Sequence, residues 1–260
     1  MPTLVISGGS SGIGKATATL FAERGWRVFE LSRSGVSQDG IKHVDCDVTS
    51  EESTRQAVAE VLKQTETIDV VISNAGFGIS GAVEFTAIRD AQKQMDVNFM
   101  GAVRLTQAVL PQLRQQRFGR IIYTSSVAAV LAVPYQSFYS ASKAAINALA
   151  LALANEVRAF GIKVSVMMPG DVSTGFTDAR EKSVAGEDVY KSANKAVSAM
   201  EKDERGGMQP IQMAKLFWHI ANCRSPKPQY VGGFVYGVFC FLDRILPKRL
   251  VNWIEYKVYS

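Results

Sequence analysis

A tyrosine and a lysine, Tyr139 and Lys143, stand four residues apart and form the pair best suited to proton transfer. In a helix this spacing places both side chains on one face. Reduction of a ketone needs a hydride on carbon and a proton on oxygen. A free phenol, with a pKa near about 10, holds its proton too tightly at neutral pH, but a neighbouring ammonium lowers that pKa. The pair therefore predicts a general acid for reduction and a general base for oxidation.

Two further polar residues precede this pair. Ser126 lies 13 residues before Tyr139, at the end of a predicted strand, where its hydroxyl could donate a hydrogen bond to a carbonyl oxygen and stabilise developing charge. Its neighbour Ser125 is interpreted as a bystander, because a serine beside a turn or helix start is usually a cap. Asn98 falls within a predicted long helix, where an asparagine more often faces solvent or bonds locally.

A glycine-rich segment between the first predicted strand and the first predicted helix is typical of a phosphate-binding turn. It runs Ser7-Gly-Gly-Ser-Ser-Gly-Ile-Gly14. Glycines let the backbone turn tightly and approach a pyrophosphate, which the N-terminus of a helix attracts. Turns need glycine in any case, so it is the place between strand and helix that favours a dinucleotide site. The candidate contacts are Gly8, Ser10, Ser11, Gly12, Ile13 and Gly14.

Short β-branched runs alternate with longer helical segments along the chain. This alternation predicts parallel strands with right-handed crossovers, and hence an α/β doubly wound sheet covered by helices on both faces, in three layers α/β/α. We expect strands at 3–6, 27–31, 41–45, 69–73, 120–124 and 163–168. We expect helices at 13–24, 51–64 and 141–160, and a long amphipathic helical segment at 90–116.

Together these motifs resemble those of the short-chain dehydrogenase/reductase family, whose members have a Rossmann fold and an Asn, Ser, Tyr-x-x-x-Lys tetrad. Ser7 stands where the family's glycine signature has Thr, and Ser73 where its Asn-Asn-Ala-Gly motif has the first Asn. The resemblance covers residues 3–174 and thins beyond them. It adds as cofactor contacts Asp47 and Val48 beside the adenine, Asn74, Ala75 and Gly76 after the fourth strand, and Pro169, Gly170, Val172 and Thr174 in a Pro-Gly loop.

The resemblance also implies a role for each member of the tetrad. Tyr139 would exchange the proton, Lys143 would lower its pKa and bridge the nicotinamide ribose hydroxyls, and Ser126 would orient the carbonyl. Asn98 would hold a water that links Lys143 to bulk solvent as a proton relay. The four residues occur in the family's order and spacing.

The end of the second predicted strand bears on which dinucleotide is used. NAD enzymes place an acid there for the ribose hydroxyls, whereas NADP enzymes place a base beside the 2′-phosphate. Ser32 and Arg33 lie 18 and 19 residues past Gly14, and a hydroxyl with a guanidinium suits a phosphate. Glu30 shares a strand face with Ser32, but we place it inside the strand, too early to reach the ribose. NADP(H) is therefore the expected cofactor, and NAD(H) is the alternative.

The segment after the Pro-Gly loop is expected to govern the choice of substrate. Residues 175–210 carry many charges and few large apolar side chains, which predicts a mobile substrate loop or lid. An apolar, aromatic rim to the cleft favours a hydrophobic substrate, such as a steroid-, retinoid- or lipid-like carbonyl or alcohol. The rim residues are expected to be Val130, Leu131, Val133, Tyr135 and Phe138.

The last residues, 230–260, depart from the glycine-rich final strand that is usual in the family. They form an apolar and cationic tail, in which Trp253 and Ile254 stand near Arg249 and Lys257. Such a tail could lie on a membrane surface, cover the substrate cleft or contact a partner subunit. Family members that use steroids, retinoids or acyl-glycerone phosphates often carry such tails, which favours a hydrophobic substrate.

The composition suits one α/β domain over residues 1–260, with 47% hydrophobic and 20% charged residues. The net charge of +5 is scattered, so nucleic acid is not an expected partner. Three cysteines without pair spacings argue against a disulfide framework or a metal site, and indicate a reducing compartment. No signal peptide or membrane span is predicted, so we expect a cytoplasmic protein, at most peripheral on a membrane. The resemblance implies a homodimer or tetramer through the two long helices.

The expected function is transfer of a hydride between NADP(H) and a small-molecule carbonyl or secondary alcohol. The first alternative is an NAD-dependent alcohol dehydrogenase. The second is a non-catalytic dinucleotide-binding sensor or scaffold, because a fold by itself does not fix a function. The intact set Asn98, Ser126, Tyr139 and Lys143 favours an enzyme.

Overall fold

The structure, a computed structural model, describes residues 1–38, 40–183, 185–186 and 188–259. For residue 259 it describes the backbone only. The strands of these residues are β1 (Thr3–Ser7), β2 (Arg27–Ser32), β3 (Ile41–Asp45), β4 (Val70–Ser73), β5 (Ile79–Ser80), β6 (Gly119–Thr124), β7 (Ile162–Pro169), β8 (Glu181–Lys182) and β9 (Gln229–Gly232). Seven of them form a parallel sheet in the order β3-β2-β1-β4-β6-β7-β9. The short strands β5 and β8 pair separately.

Helices connect these strands and cover both faces of the sheet. They are α1 (Gly12–Glu23), α2 (Glu51–Leu62), α3 (Ile88–Met95), α4 (Gly101–Gln116), α5 (Ser137–Glu156), α6 (Ala193–Arg205), α7 (Pro210–Asn222), α8 (Phe234–Ile245) and α9 (Lys248–Tyr259). A π-helical turn, Asp96–Met100, joins α3 to α4. The predicted α/β doubly wound fold in three layers is confirmed.

Strands buried on both faces hold the sheet between two apolar layers, because successive side chains of a strand point to opposite sides. Val5 packs into a core with side chains of α2, α4 and α5. Its neighbours Leu4 and Ile6 pack into a second core, which includes Phe21 of α1 and Phe217 of α7. All five side chains are fully buried. Because both faces of β1 are buried, its sequence is almost continuously apolar instead of alternating.

The strand order reverses at β1, and this reversal positions the site. From β1 the chain builds outward through β2 and β3 on one side, then returns to continue through β4, β6 and β7 on the other. The loops after β1 and β4 therefore diverge, and in open parallel sheets ligands bind in the crevice at such a point. The glycine-rich turn follows β1, and Asn74 to Gly76 follow β4.

Most predicted elements are present with their ends moved by a few residues. The predicted helix at 141–160 begins earlier, at Ser137, so Tyr139 lies in its first turn. The predicted segment at 90–116 is α3, the π-helical turn and α4 in succession. Helix α2 begins at Glu51, as expected, because the Ser50 side chain accepts a hydrogen bond of 3.2 Å from the Ser53 N–H.

Two expectations for the second half need correction. The segment 175–210, expected to lack core contacts, contains helix α6, and Ala196 and Met200 of this helix are buried. Two of the three buried apolar side chains of α6 are alanines, so the segment shows few large apolar residues in sequence. The tail was expected to replace the last strand, yet β9 pairs with β7 within the sheet. The departure from the family ending thus starts at Gly233. Residues 184, 187 and 260 of these two segments lie outside the described residues.

Candidate active site

A cleft of about 880 Å3 brings the two predicted halves of the site together. The glycine-rich turn contributes Gly8, Ser11, Gly12 and Ile13 to its lining, whereas Ser10 and Gly14 of that turn are not part of the lining. Tyr139, Lys143 and Ser126 line the same cleft. All the candidate contacts after β4 and in the Pro-Gly loop also line it: Asn74, Ala75, Gly76, Pro169, Gly170, Val172 and Thr174.

The glycine-rich turn is packed tightly against the end of β4. Gly8 has a φ of +64°, and a Cβ there would lie 2.9 Å from the Ala75 Cα. A Cβ at Gly14 would lie 2.7 Å from the Asn74 Nδ2. Asn74 donates a hydrogen bond of 3.0 Å to the Gly8 carbonyl and accepts one of 3.1 Å from the Thr124 hydroxyl. A side chain at either glycine would push the turn away from the strand that positions it.

The first turn of α1 supplies donors to the cleft. Ser11, its N-cap residue, makes no side-chain hydrogen bond to that turn. The N–H groups at the start of a helix have no partner within the helix, and the helix dipole favours an anion there. Because Ser11, Gly12 and Ile13 line the cleft, these donors fit a pyrophosphate group.

Tyr139 lies between a serine and an aromatic ring. A hydrogen bond joins its side chain to that of Ser126, and the ring of Phe176 lies 5.7 Å from its own ring, centroid to centroid. Burial raises the pKa of Tyr139 to about 12, and the Glu204 and Asp171 carboxylates act in the same direction. The hydrogen bond to Ser126 and the charge of Arg180 oppose that shift. The phenol of this structure is therefore a firmly protonated acid, and the predicted lowering of its pKa is not found.

Lys143 is almost fully buried, with 4% of its surface exposed. Its Nζ donates a hydrogen bond of 2.9 Å to the Thr124 carbonyl and lies 5.7 Å from the centroid of the Tyr139 ring. Burial lowers the pKa of Lys143 to about 8. An ammonium carries three hydrogens, so further hydrogen bonds can go to hydroxyls in the cleft. These donors fit the two hydroxyls of a ribose.

The structure separates the roles of the two neighbouring serines. Ser126 accepts a hydrogen bond of 3.1 Å from the Ala128 N–H and bonds to Tyr139. Ser125 donates a hydrogen bond of 3.0 Å to the Lys143 carbonyl. Ser126 is thus placed beside the phenol, and Ser125 ties the end of β6 to α5.

Asn98 lies in the π-helical turn and is buried rather than facing solvent. Its Oδ1 accepts a hydrogen bond from the Phe77 N–H, and its Nδ2 donates to the Phe77 carbonyl and to the Ser142 hydroxyl, each at 3.0 Å. A Cβ at Gly76 would lie 3.1 Å from the Asn98 Oδ1 and 3.4 Å from the Lys143 Nζ. Asn98 and Lys143 therefore converge on the loop after β4.

The residues predicted for the adenosine end lie apart from the cleft lining, at the end of β2 and after β3. Hydrogen bonds from Thr49 are the main cause of a lowered pKa at Asp47, and the charge of Arg33 acts in the same direction. The Arg33 side chain is exposed. The Ser32 Oγ is buried and has no hydrogen-bond partner among the described residues. This hydroxyl can therefore donate a hydrogen bond to an oxygen of a ligand. Glu30 is buried and bonds to His43 Nδ1 at 2.5 Å, inside the strand. Val48 is buried and packs under Gly101.

The cleft has wall residues that were not singled out in the sequence, although the segment 175–210 and the tail were both candidates to cover it. The ring of Phe176 lies against that of Tyr139 at a tilt of 56°, and Tyr236 of α8 donates a hydrogen bond of 2.5 Å to Asp171 in the Pro-Gly loop. Phe239 and Val258 of the tail also line the cleft. Their positions depend on the path of the chain after residue 174, and no local pattern marks them. Of the five predicted rim residues, Leu131 and Val133 are in the lining, whereas Val130, Tyr135 and Phe138 are not.

Comparisons with known proteins agree with this arrangement. The family model for short chain dehydrogenases matches residues 2–185. A 3-ketodihydrosphingosine reductase of Bacteroides thetaiotaomicron is 39% identical over 255 residues, covering 96% of this chain and 95% of that protein. A probable short-chain type dehydrogenase/reductase of Helicobacter pylori is 29% identical over 258 residues, covering 96% of this chain and 94% of that protein.

Solved structures show the same architecture. A short-chain dehydrogenase from Streptomyces avermitilis has a TM-score of 0.84 and 27% identity, over 98% of this chain and 97% of that one. A family enzyme from Burkholderia phymatum, solved in complex with NAD, has a TM-score of 0.80 and 23% identity, over 93% and 92% of the two chains, and shows the fold alone. The chain therefore belongs to the short-chain dehydrogenase/reductase family and is an oxidoreductase.

Proposed function

We propose that this enzyme is an NADP(H)-dependent reductase of a ketone on a lipid-like substrate. The observation that carries the proposal is the convergence of Tyr139, Lys143 and Ser126 on a cleft that also contains the glycine-rich turn. In this cleft the Tyr139 phenol can exchange a proton, and the glycine-rich turn fits a dinucleotide. The reverse oxidation of a secondary alcohol uses the same groups.

The chemistry divides between the cofactor and the chain. Bound NADPH would supply the hydride to the carbonyl carbon. Ser126 donates a hydrogen bond to the carbonyl oxygen and orients it. Tyr139 gives its proton to that oxygen, and the positive charge of Lys143 stabilises the phenolate left behind. Asn98 holds the loop at Phe77. The Tyr139 phenolate takes up a proton from Lys143, and Lys143 regains its own proton from solvent through a water beside this loop.

The preference for NADP(H) rests on the residues at the end of β2. The orphaned Ser32 hydroxyl and the exposed Arg33 guanidinium suit the 2′-phosphate of adenosine, because charge-assisted hydrogen bonds to phosphate are strong. Asp47 and Val48 after β3 would border the adenine. The buried Glu30 is held by His43 and does not compete for the ribose. NAD(H) is the alternative cofactor.

The substrate class rests on the walls of the cleft and on one relative. Leu131, Val133, Phe176 and Phe239 give the cleft apolar walls, which fit a long aliphatic chain. The relative from Bacteroides thetaiotaomicron is named for the reduction of a 3-keto lipid base. We assign residues 1–174 to cofactor binding and catalysis, 175–210 to covering the substrate, and 230–260 to a variant tail of the same domain.

The test is the variant Tyr139→Phe, assayed with NADPH and a panel of short- and long-chain ketones. Removing the acid should lower kcat about 100- to 10,000-fold while NADPH binding, followed by cofactor fluorescence, stays within a few-fold of wild type. Tyr230→Phe is the matched control, because the Tyr230 hydroxyl lies on β9 and accepts from the Lys227 N–H. If Tyr139→Phe turns over at the wild-type rate, the phenol is not the proton donor and the proposed mechanism is wrong.

A further inference from the structure

The tail helices α8 and α9 carry an unusual share of the exposed apolar side chains. Twenty large apolar residues are exposed among the described residues, and eleven of them fall between 234 and 258. Phe234 is 88% exposed, more than any of the others. Large contiguous apolar surface marks a binding face, because single exposed apolar residues are scattered on ordinary surfaces. The eleven are Phe234, Val235, Val238, Phe239, Phe241, Ile245, Leu250, Trp253, Ile254, Tyr256 and Val258.

Basic residues stand among these apolar side chains. Arg244, Arg249 and Lys257 belong to the same two helices, and a fourth cation, Lys248, is paired with the buried carboxylate of Asp243 at 2.5 Å. Of the two carboxylates on these helices, Asp243 is buried within that pair and Glu255 is half-buried. The outer face therefore combines apolar and cationic groups. This combination fits the interface of an anionic lipid bilayer.

The same helices form part of the mouth of the active-site cleft. Tyr236, Phe239 and Val258 line the cleft, and Phe239 and Val258 are also among the exposed apolar residues. The apolar face is therefore continuous with the cleft. Tyr236 also ties α8 to the Pro-Gly loop, through its hydrogen bond to Asp171 and the contact of its ring with Gly170.

We propose that α8 and α9 dock this enzyme on an anionic membrane surface with the mouth of the cleft facing the lipid. An apolar ketone then passes from the bilayer into the cleft without crossing water. The second step rests on the proposed function, and the docking itself does not. No helix among the described residues is long and apolar enough to cross a membrane, so the contact is with one surface. Amphipathic helices with Trp, Phe and Leu on one face and Lys or Arg beside them lie in this way in the interface.

The docking is tested by co-sedimentation of the full chain with vesicles. One set contains phosphatidylcholine alone, and the other adds phosphatidylglycerol. Wild type should bind the mixed vesicles more tightly, and high salt should weaken that binding. Phe234→Ser with Phe241→Ser should weaken it about tenfold or more, because neither side chain could then insert. Arg249→Glu with Lys257→Glu should abolish the preference for the anionic lipid.

Phe118→Ser with Ile211→Ser is the matched control, because both residues are exposed and apolar but lie outside the tail. This variant should bind as wild type does. The proposal is overturned if wild type stays in the supernatant with mixed vesicles, or if the Phe234, Phe241 variant binds as tightly as wild type. It is also overturned if that variant is only a smaller oligomer with unchanged vesicle binding, since the face is then a subunit interface.

Activity on two ketones tests the passage from the bilayer. The Phe234, Phe241 variant should keep the wild-type kcat/KM for a short, water-soluble ketone and lose about tenfold for a long-chain ketone embedded in vesicles. Equal losses on both substrates would refute lateral passage. If wild type reduces neither ketone, the proposed function fails, whereas the sedimentation result still decides the docking.

Discussion

Proton transfer in this cleft depends on two buried groups, the phenol of Tyr139 and the ammonium of Lys143. Burial disfavours the charged form of each, so it raises the pKa of the phenol to about 12 and lowers that of the ammonium to about 8. The phenol is protonated over the whole ordinary pH range. The lysine, by contrast, changes charge within that range. The group whose titration limits reduction is therefore expected to be Lys143.

This difference predicts the pH profile of ketone reduction. As pH rises through about 8, Lys143 loses the proton that makes it a cation and no longer stabilises the phenolate formed in the reaction. We expect kcat/KM to be level below that pH and to fall above it. In Lys143→Arg the cation persists, so the fall should move beyond about pH 10 even if the absolute rate is lower. A profile of this variant with the same midpoint as wild type would exclude Lys143 as the source.

A second prediction at this scale concerns Arg33, which is exposed after β2. Arg33→Ala should lower kcat/KM for NADPH about ten- to a hundredfold and leave that for NADH nearly unchanged, because the lost bond is to a phosphate that only NADPH carries. Arg89→Ala is the matched control, with a side chain that is 88% exposed and lies on α3. A wild type that already prefers NADH, or an equal loss on both cofactors, would favour the alternative cofactor.

The sequence could predict residues whose roles follow from local spacing. Tyr139, Lys143 and Ser126 were predicted from their spacing, and all three line one cleft. The pKa values could not be predicted, because burial depends on the packing of the whole cleft. Phe176 and Tyr236 were missed for a related reason, since their contacts are made by segments far away in sequence.

At the scale of elements, the π-helical turn at Asp96–Met100 connects a helix to the active-site loop. Such turns interrupt a helix at single positions and are frequent at functional sites. Here the turn places Asn98 so that its amide bonds both backbone groups of Phe77 and the Ser142 hydroxyl on α5. One side chain thus connects the α3–α4 segment, the loop after β4 and the catalytic helix.

Asn98→Ala should therefore destabilise the fold as well as the site. It leaves the Phe77 N–H without its partner and removes one donor to the buried Ser142 hydroxyl, whereas the Phe77 carbonyl keeps the hydrogen bond from the Gln94 Nε2. Loss of a partner costs about 1–3 kcal/mol for each polar group. We expect the free energy of unfolding, measured with denaturant, to fall by about 2–3 kcal/mol. Asn155→Ala is the control, because that exposed side chain bonds only to the Leu151 carbonyl of its own helix, and the change should stay within about 0.5 kcal/mol. Equal losses in the two variants would contradict the bridging role.

The sequence predicted elements well where burial imposes a strong period, and poorly where small residues make the contacts. Six of the seven strands of the sheet were predicted, and β1, β4 and β7 were clear in sequence because they are buried on both faces. Helix α6 was missed, since its buried apolar residues Ala193, Ala196 and Met200 stand among many polar and charged ones. The π-helical turn was also missed, because it does not interrupt the amphipathic pattern from α3 to α4.

At the scale of the whole molecule, the exposed face of α5 bears on the oligomeric state. Ala144, Ala148, Leu151 and Ala152 recur at helical spacing and are exposed in the single chain. Small side chains at such spacing allow a second helix to approach closely. The face lies on the opposite side of the sheet from α1 and α7. We propose it as the homodimer contact, separate from the tail.

Ala148→Arg should then convert the protein to single chains in sedimentation velocity. The long cation would stand where the partner helix has to pack, and leaving it buried and unpaired would cost more than the contact gains. The free energy of unfolding of the single chain should stay within about 0.5 kcal/mol of wild type, because the position is exposed there. Ile211→Arg, an exposed apolar residue of α7 in the opposite layer, is the control and should leave the sedimentation coefficient unchanged. If Ala148→Arg still sediments as wild type does, α5 is not the contact. If the wild type already sediments as single chains, the proposed homodimer does not form.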